Sequence, residues 1–214
     1  GTGTWTVATK VSETTATFKP SDFSAGTHTV TYNFESSAGC KAAEVTQEMI
    51  VDALPTPSIT VSNDNVCVSG TNSSGVTVAP TGTSATGTTF AYTINNGGTI
   101  DATTGAFDPT SNAAGTYTIT LTYTDANGCV GTATDDITVN ALPVVTLTNQ
   151  TEICYNESAI NIGMTSTPSG GTGTWTGTTS ASSAEFNPVT SSVGEKEITY
   201  TYKDANGCTN SDTT

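Results

Sequence analysis

The chain has no arginine, one histidine, two tryptophans and two methionines in 214 residues. Charged residues make up only 11% of it, and 19 Asp and Glu against five Lys give a net charge of −14. A surface so short of cations repels phosphate backbones and anionic lipid, which excludes nucleic-acid binding and membrane-surface binding as main tasks. A calcium ion or a basic partner suits it better. No run reaches the 18 or more apolar residues of a membrane span, so membrane insertion is excluded, and the opening GTGTWT has no charged and apolar leader.

Catalytic signatures are also missing. One His, no GxSxG elbow, no HExxH and no phosphate-cradling glycine loop leave the many serines without a base. His28 is replaced by Tyr117 and Lys196 at the matching places of two sister segments described below, so a shared catalytic role is excluded for it. The chain reads as a non-enzyme with no cofactor. No CxxC pair exists either, which argues against a cysteine metal site.

What is present is repetition. ATFKPSDFSAGTHTVTYNFESSAGC, GAFDPTSNAAGTYTITLTYTDANGC and AEFNPVTSSVGEKEITYTYKDANGC align without a gap and end on Cys40, Cys129 and Cys208. Phe18, Phe107 and Phe186 hold one position, Pro20, Pro109 and Pro188 the next but one. ALP recurs at 53–55 and 141–143, each time followed by a Cys, Cys67 or Cys154, and GTGTWT returns at 171–176. Three gapless copies mark a tandem array. The cuts fall at 1–55, a partial repeat without its first strands, 56–143, a complete repeat, and 144–214, a partial repeat without its last strand.

Each copy alternates strictly. His28, Val30, Tyr32 and Phe34 share a face with the series Tyr117, Ile119, Leu121, Tyr123 and with Lys196, Ile198, Tyr200, Tyr202, while the other face is mostly Thr. Period two predicts half-buried strands. The Asn-Gly of DANG predicts a type I′ hairpin with positive φ at both central residues. Residues 42–54, AAEVTQEMIVDAL, look helical by propensity but overlay TATDDITVNAL, so a strand is expected there with Met49 and Val51 inward. The fold class is all-β: tandem immunoglobulin-like or PKD-like antiparallel β-sandwiches of about seven strands.

Five cysteines leave one unpaired. Pairing within a repeat gives Cys67 with Cys129 and Cys154 with Cys208; pairing across a junction gives Cys40 with Cys67 and Cys129 with Cys154. Cys40 opens the last strand of its repeat, so a whole strand and a linker separate it from Cys67, several times the ~6 Å a disulfide allows. Bridges within repeats are therefore expected, with Cys40 left over and an oxidising, extracellular setting.

Trp5 and Trp175 occupy one register and are expected in the core, with Phe90 or Tyr92 in their place in the middle repeat. That repeat carries about ten extra residues within 88–101, and Phe90, Tyr92, Asn95 and Asn96 are the candidates for a carbohydrate site there. An exposed aromatic in that insertion favours binding; a buried one favours a spacer. Asp125, Asn127, Asp204 and Asn206 are weak calcium candidates, since the turn already accounts for them. Sequons stand at Asn72, Asn149 and Asn156.

GTGTWTG, the x-F-x-P element, AGTYTITLTYTDANGC, DITVNALP and the early Cys together resemble the repeats of giant Bacteroidetes surface proteins, of the SprB type of gliding-motility adhesin. The resemblance covers nearly the whole chain. It implies export by the type IX secretion system, display at the outer membrane, work with the gliding machinery, and adhesion to a substratum or surface polysaccharide. It carries over no binding residue, because the matching motifs are structural. Neighbouring repeats of the same chain are the partners it implies most directly.

Overall fold

Alternating Thr with aromatic and branched residues makes strand after strand. A computed structural model describes residues 1–7, 9, 10, 12, 14–70, 78–81, 88–148 and 152–214. In chain order its strands are β1 (Thr2–Thr6), β2 (Thr9–Lys10), β3 (Ala16–Thr17), β4 (Gly26–Glu35) and β5 (Val45–Val51). Next come β6 (Ser58–Val61), β7 (Asn65–Cys67), β8 (Val78–Thr81), β9 (Thr89–Ile94), β10 (Gly115–Thr124) and β11 (Val130–Asn140). The last are β12 (Val144–Leu147), β13 (Ile160–Asn161), β14 (Met164–Thr167), β15 (Thr172–Thr176), β16 (Glu185–Phe186), β17 (Thr199–Lys203) and β18 (Thr209–Thr213). The only helical pieces among the described residues are two 3₁₀ turns, Pro20–Asp22 and Pro109–Ser111. No helix there is long and apolar enough to cross a membrane. The fold class is all-β, as the alternation predicts.

Two compact units are present. One carries Gly1–Thr56 together with Tyr123–Gly131. The other carries Phe90–Thr122 and Thr132–Thr214 with the segment that opens at Pro57.

In the first unit β4 lies between β1 and β5, all antiparallel. Residues 45–51 form a strand, so the repeat overrides helix propensity there. Met49 pairs with His28 across the sheet and shares its face, but it remains 37% exposed. That face opens on a groove of about 490 Å³ lined by Trp5, Phe18, Val30, Gln47 and Met49. Inward is thus the right face for Met49, though it is only partly covered there.

In the second unit two separate cores form. The first gathers Ile59, Val61, Val66, Tyr92, Phe107, Tyr117, Ile119, Leu121, Ile137 and Val139 beneath the sheet β7-β11-β10-β9. The second gathers Leu147, Ile162, Trp175, Phe186, Ile198, Tyr200 and Tyr202 beneath β15-β17-β18. The alternating face read from the sequence is the buried one in both.

The recurring GTGTWT has a geometric reason. Trp5 stands opposite Tyr32 and Trp175 opposite Tyr200, in the same register, and both ring pairs lie 4.6 Å apart at 41°. The Tyr200 ring lies over Gly173, where an added Cβ would collide with the phenol group. Glycine there gives the ring its seat, as edge glycines do under aromatic neighbours.

One pairing departs from the all-antiparallel expectation. β7 runs parallel to β11, with Asn65, Val66 and Cys67 beside Thr138, Val139 and Asn140. Cys67 is thereby level with the final residue of β11.

Candidate functional site

Three features qualify as sites: the hairpins ending on cysteine, the cysteines themselves, and the 88–101 insertion.

The DANGC hairpin is held by its aspartate. Asp125 N donates to Cys129 O at 3.0 Å and Gly128 N donates to Asp125 O at 3.1 Å, while the Asp125 carboxylate accepts from Asn127 N and Cys129 N, both at 2.9 Å. The third repeat copies this: Cys208 N donates to Asp204 Oδ1 at 2.8 Å and Gly207 N to Asp204 O at 3.1 Å. Ser36 takes over in the first repeat, its Oγ accepting from Cys40 N at 3.0 Å. Positive φ occurs only at Gly39, Gly128 and Gly207 within these turns, not at the residue before. The expected type I′ turn is therefore a type I turn closed by a left-handed glycine. A carboxylate or hydroxyl that caps the turn from inside removes the need for two left-handed residues. That also explains why SSAG serves where DANG is lost.

For the calcium candidates this means that Asp125 and Asp204 spend an oxygen on their own turns, with Asn127 and Asn206 inside the same turns. No three potential ligands of His, Cys, Asp or Glu type converge among the described residues.

The cysteines correct the sequence reading. Cys67 is bonded to Cys208, 141 residues away, and Cys40, Cys129 and Cys154 are free thiols. The expected bridges Cys67–Cys129 and Cys154–Cys208 are not formed. The physical reason is strand direction. Cys129 precedes Val130 at the start of β11, whereas Cys67 sits beside Asn140 at its end. Eleven strand steps separate those levels, about 36 Å, against the ~6 Å a disulfide spans. Cys154 likewise lies with Thr213 and Thr214 at the far end of β18, whose near end Cys208 begins.

The early cysteine and the hairpin cysteine of one repeat thus occupy opposite ends of its sandwich. The bridge instead joins the first core, through the residue after Val66, to the hairpin that opens the second core's last strand. Both sulfurs are buried, at 0% exposure. The seam is also hydrogen-bonded: Asn210 Nδ2 donates to Pro143 O at 2.9 Å. Closing a loop of this length removes about 5 kcal/mol of unfolded-chain entropy in the chain-entropy model.

A free thiol at the hairpin of the middle repeat has its own surroundings. Partial burial, then the carboxylates of Asp125 and Asp52, push the Cys129 thiol up. Asp52 directly follows β5.

The insertion is fastened rather than open. Tyr92 is buried at 4% exposure and Phe90 packs against the first core. Tyr92 N donates to Ala102 O at 2.8 Å, as Trp175 N does to Ala181 O at 2.9 Å, so Tyr92 stands where the sister repeats have Trp. Asn95 and Asn96 are exposed, on a turn where Asn96 and Gly97 both have positive φ, at 52° and 72°. This is the I′ geometry expected elsewhere. Their side chains bond to β10: Thr118 N donates to Asn95 Oδ1 at 2.8 Å, and Asn96 Nδ2 donates to Thr116 O at 3.0 Å.

Other sequence candidates fall into structural roles. His28 Nε2 contacts Ser24 O at 2.7 Å, and its ring rests 4.9 Å from that of Phe23. Trp175 is buried, and Trp5 half-buried. Asn156 is exposed, while Asn72 and Asn149 lie outside the described residues. Sequence reading missed one recurring tie. Val61 N donates to Asp135 Oδ2 and Leu147 N to Asp212 Oδ2, both at 2.8 Å, fixing the first strand of each sandwich to its last. The signal was an acidic residue four to six places after each hairpin Cys.

No family model matches the sequence, and no curated protein does. Among solved structures the chain is similar to Drosophila N-cadherin EC1-4, at 13% identity over 88% of this chain and 56% of that one, with a TM-score of 0.31. It is similar too to protocadherin gamma B2 cadherin domains 3–6, at 9% identity over 96% and 63%, TM-score 0.32. The S-layer protein SbsC, domains 7, 8 and 9, follows at 12% over 88% and 68%, TM-score 0.22. The chain thus spans little more than half of the N-cadherin fragment. The functional reading therefore rests on the chain's own geometry.

Proposed function

We propose that the chain is a segment of a cell-surface stalk: β-sandwich repeats in series, cut at 1–55, 56–143 and 144–214, that supply reach and mechanical strength to a large adhesin. The observation that carries this reading is the Cys67–Cys208 bridge, which ties one sandwich core to the next. A covalent staple between consecutive domains adds nothing to a free-standing binding module, whereas it limits extension under load. Its burial supports an oxidising, extracellular setting.

The resemblance noted in the sequence refines the proposal to an outer-membrane adhesin of gliding motility, exported by the type IX system and gripping a substratum or surface polysaccharide. Adhesion is then distributed or sited elsewhere in the parent protein. The buried Tyr92 and the bonded Asn95 and Asn96 support a spacer role for the insertion.

A second reading makes the 88–101 insertion a carbohydrate-binding module. One feature favours it: this segment alone breaks the repeat, and Asn95 and Asn96 on it are exposed. A glycan-array and surface-adhesion screen of the oxidised chain separates the two. The stalk reading expects no saturable binding; saturable binding abolished by Asn95→Ala with Asn96→Ala would replace it with the module.

A further inference from the structure

The two bonded cysteines belong to two recurring classes. Cys67 and Cys154 follow an ALP linker by 12 and 11 residues; Cys40, Cys129 and Cys208 each close a side-chain-capped hairpin. The bridge joins a member of the first class, at the far end of one sandwich, to a member of the second, at the near end of the next.

Cys154 occupies the Cys67 position of the third repeat but is exposed. Beside it opens a groove of about 1030 Å³, with Tyr155, Phe186, Ile198, Thr213 and Thr214 among its lining. Tyr155 is 55% exposed, and Val193 on the same rim 85%. At the equivalent end of the middle repeat the 204–208 hairpin covers Cys67 completely. The hairpin 125–129 gives a parallel case: it shares one compact unit with the β1-β4-β5 sheet of the repeat before it. A hairpin therefore packs with the repeat before its own at two places in this chain.

We propose that the open end of the third sandwich is a docking surface for the hairpin end of another repeat of this kind, closed by a disulfide from Cys154 to that hairpin's cysteine. This rests on the stalk reading and extends it to a rule: each repeat's early cysteine pairs with the hairpin cysteine of the repeat that follows. Under the same rule Cys40 and Cys129 await early cysteines of other repeats. Bond formation consumes a small-molecule disulfide such as oxidised glutathione. One protein thiolate attacks it and releases one glutathione thiol. The second protein thiolate then attacks the mixed disulfide and releases the other. The two protein thiols lose two protons and two electrons, which leave on the two glutathiones.

The 214-residue chain carries both halves of the proposed contact, so a second copy serves as the probe. Concentrated protein in a glutathione redox buffer is run on non-reducing gels and its disulfides are mapped by peptide mass spectrometry. The expected result is a ladder of oligomers joined between Cys154 of one molecule and Cys40 or Cys129 of the next. Cys154→Ser, an exposed change that leaves the Cys67–Cys208 bridge in place, should reduce the ladder at least about tenfold. A ladder undiminished by that change, Cys154 joined to Cys154, or Cys154 left as a free thiol would overturn the rule. With Cys67–Cys208 mapped and Cys154 free, the stalk reading survives alone; with Cys67–Cys208 itself missing, both fail.

Discussion

Asp101 Oδ1 accepts backbone N–H bonds from Thr103 at 2.9 Å and Thr104 at 2.7 Å, a small acceptor site at the end of the insertion. Thr104, by its backbone and then its side chain, followed by Thr103, holds the carboxyl below its ordinary value of 3.8. A depressed folded value means that the group stabilises the fold above the unfolded pKa and loses that contribution as pH falls through the folded one. Asp101→Asn should therefore lower the thermal midpoint slightly at neutral pH, and the gap from wild type should close in acid. Melting curves between about pH 7 and pH 2.5 check this; a gap that widens in acid would reverse the assignment. The site is exposed, so the effect is small. At this scale the sequence showed residue types and not their bonds. Asn95 and Asn96 read as ligand groups because nothing in FAYTINNGGTID announces that β10 will take up their side chains.

Hairpins were legible as elements but misread as turns. Asn-Gly is a strong signal for type I′, and the chain uses that geometry at Asn96-Gly97. In DANG the aspartate at the first turn position competes and wins, since its carboxylate satisfies two backbone donors that an I′ turn would leave to water. Asp204 is buried and bonded to Cys208 N. Asp204→Ala leaves that donor without its partner and should cost about 1–3 kcal/mol. Asp204→Ser should cost less, because Ser36 already performs the task in the first repeat. Urea midpoints of the oxidised variants measure both. Equal losses for Ala and Ser would show that the cap contributes nothing. The strand faces were read correctly from Tyr117, Ile119, Leu121 and Tyr123, since period two survives any tertiary arrangement. Strand direction leaves no such trace: a three-residue strand such as β7 carries no signal for running parallel to β11. The pairing failed for another reason: the alternatives weighed joined an early cysteine to the hairpin of its own repeat or of the repeat before, never to that of the repeat that follows.

In the whole molecule the staple runs from one sandwich to the next. Single-molecule stretching of the chain from its termini, oxidised and then reduced, tests it directly. Cys67–Cys208 shields 141 residues from the load, so reduction should release about 500 Å of additional contour length at about 3.6 Å per residue. Cys67→Ser and Cys208→Ser should each release the same length without reductant. Pairing within repeats would instead hide two separate loops totalling about 420 Å, each freed by a different cysteine substitution. That second pattern would contradict the junction staple and the stalk built on it.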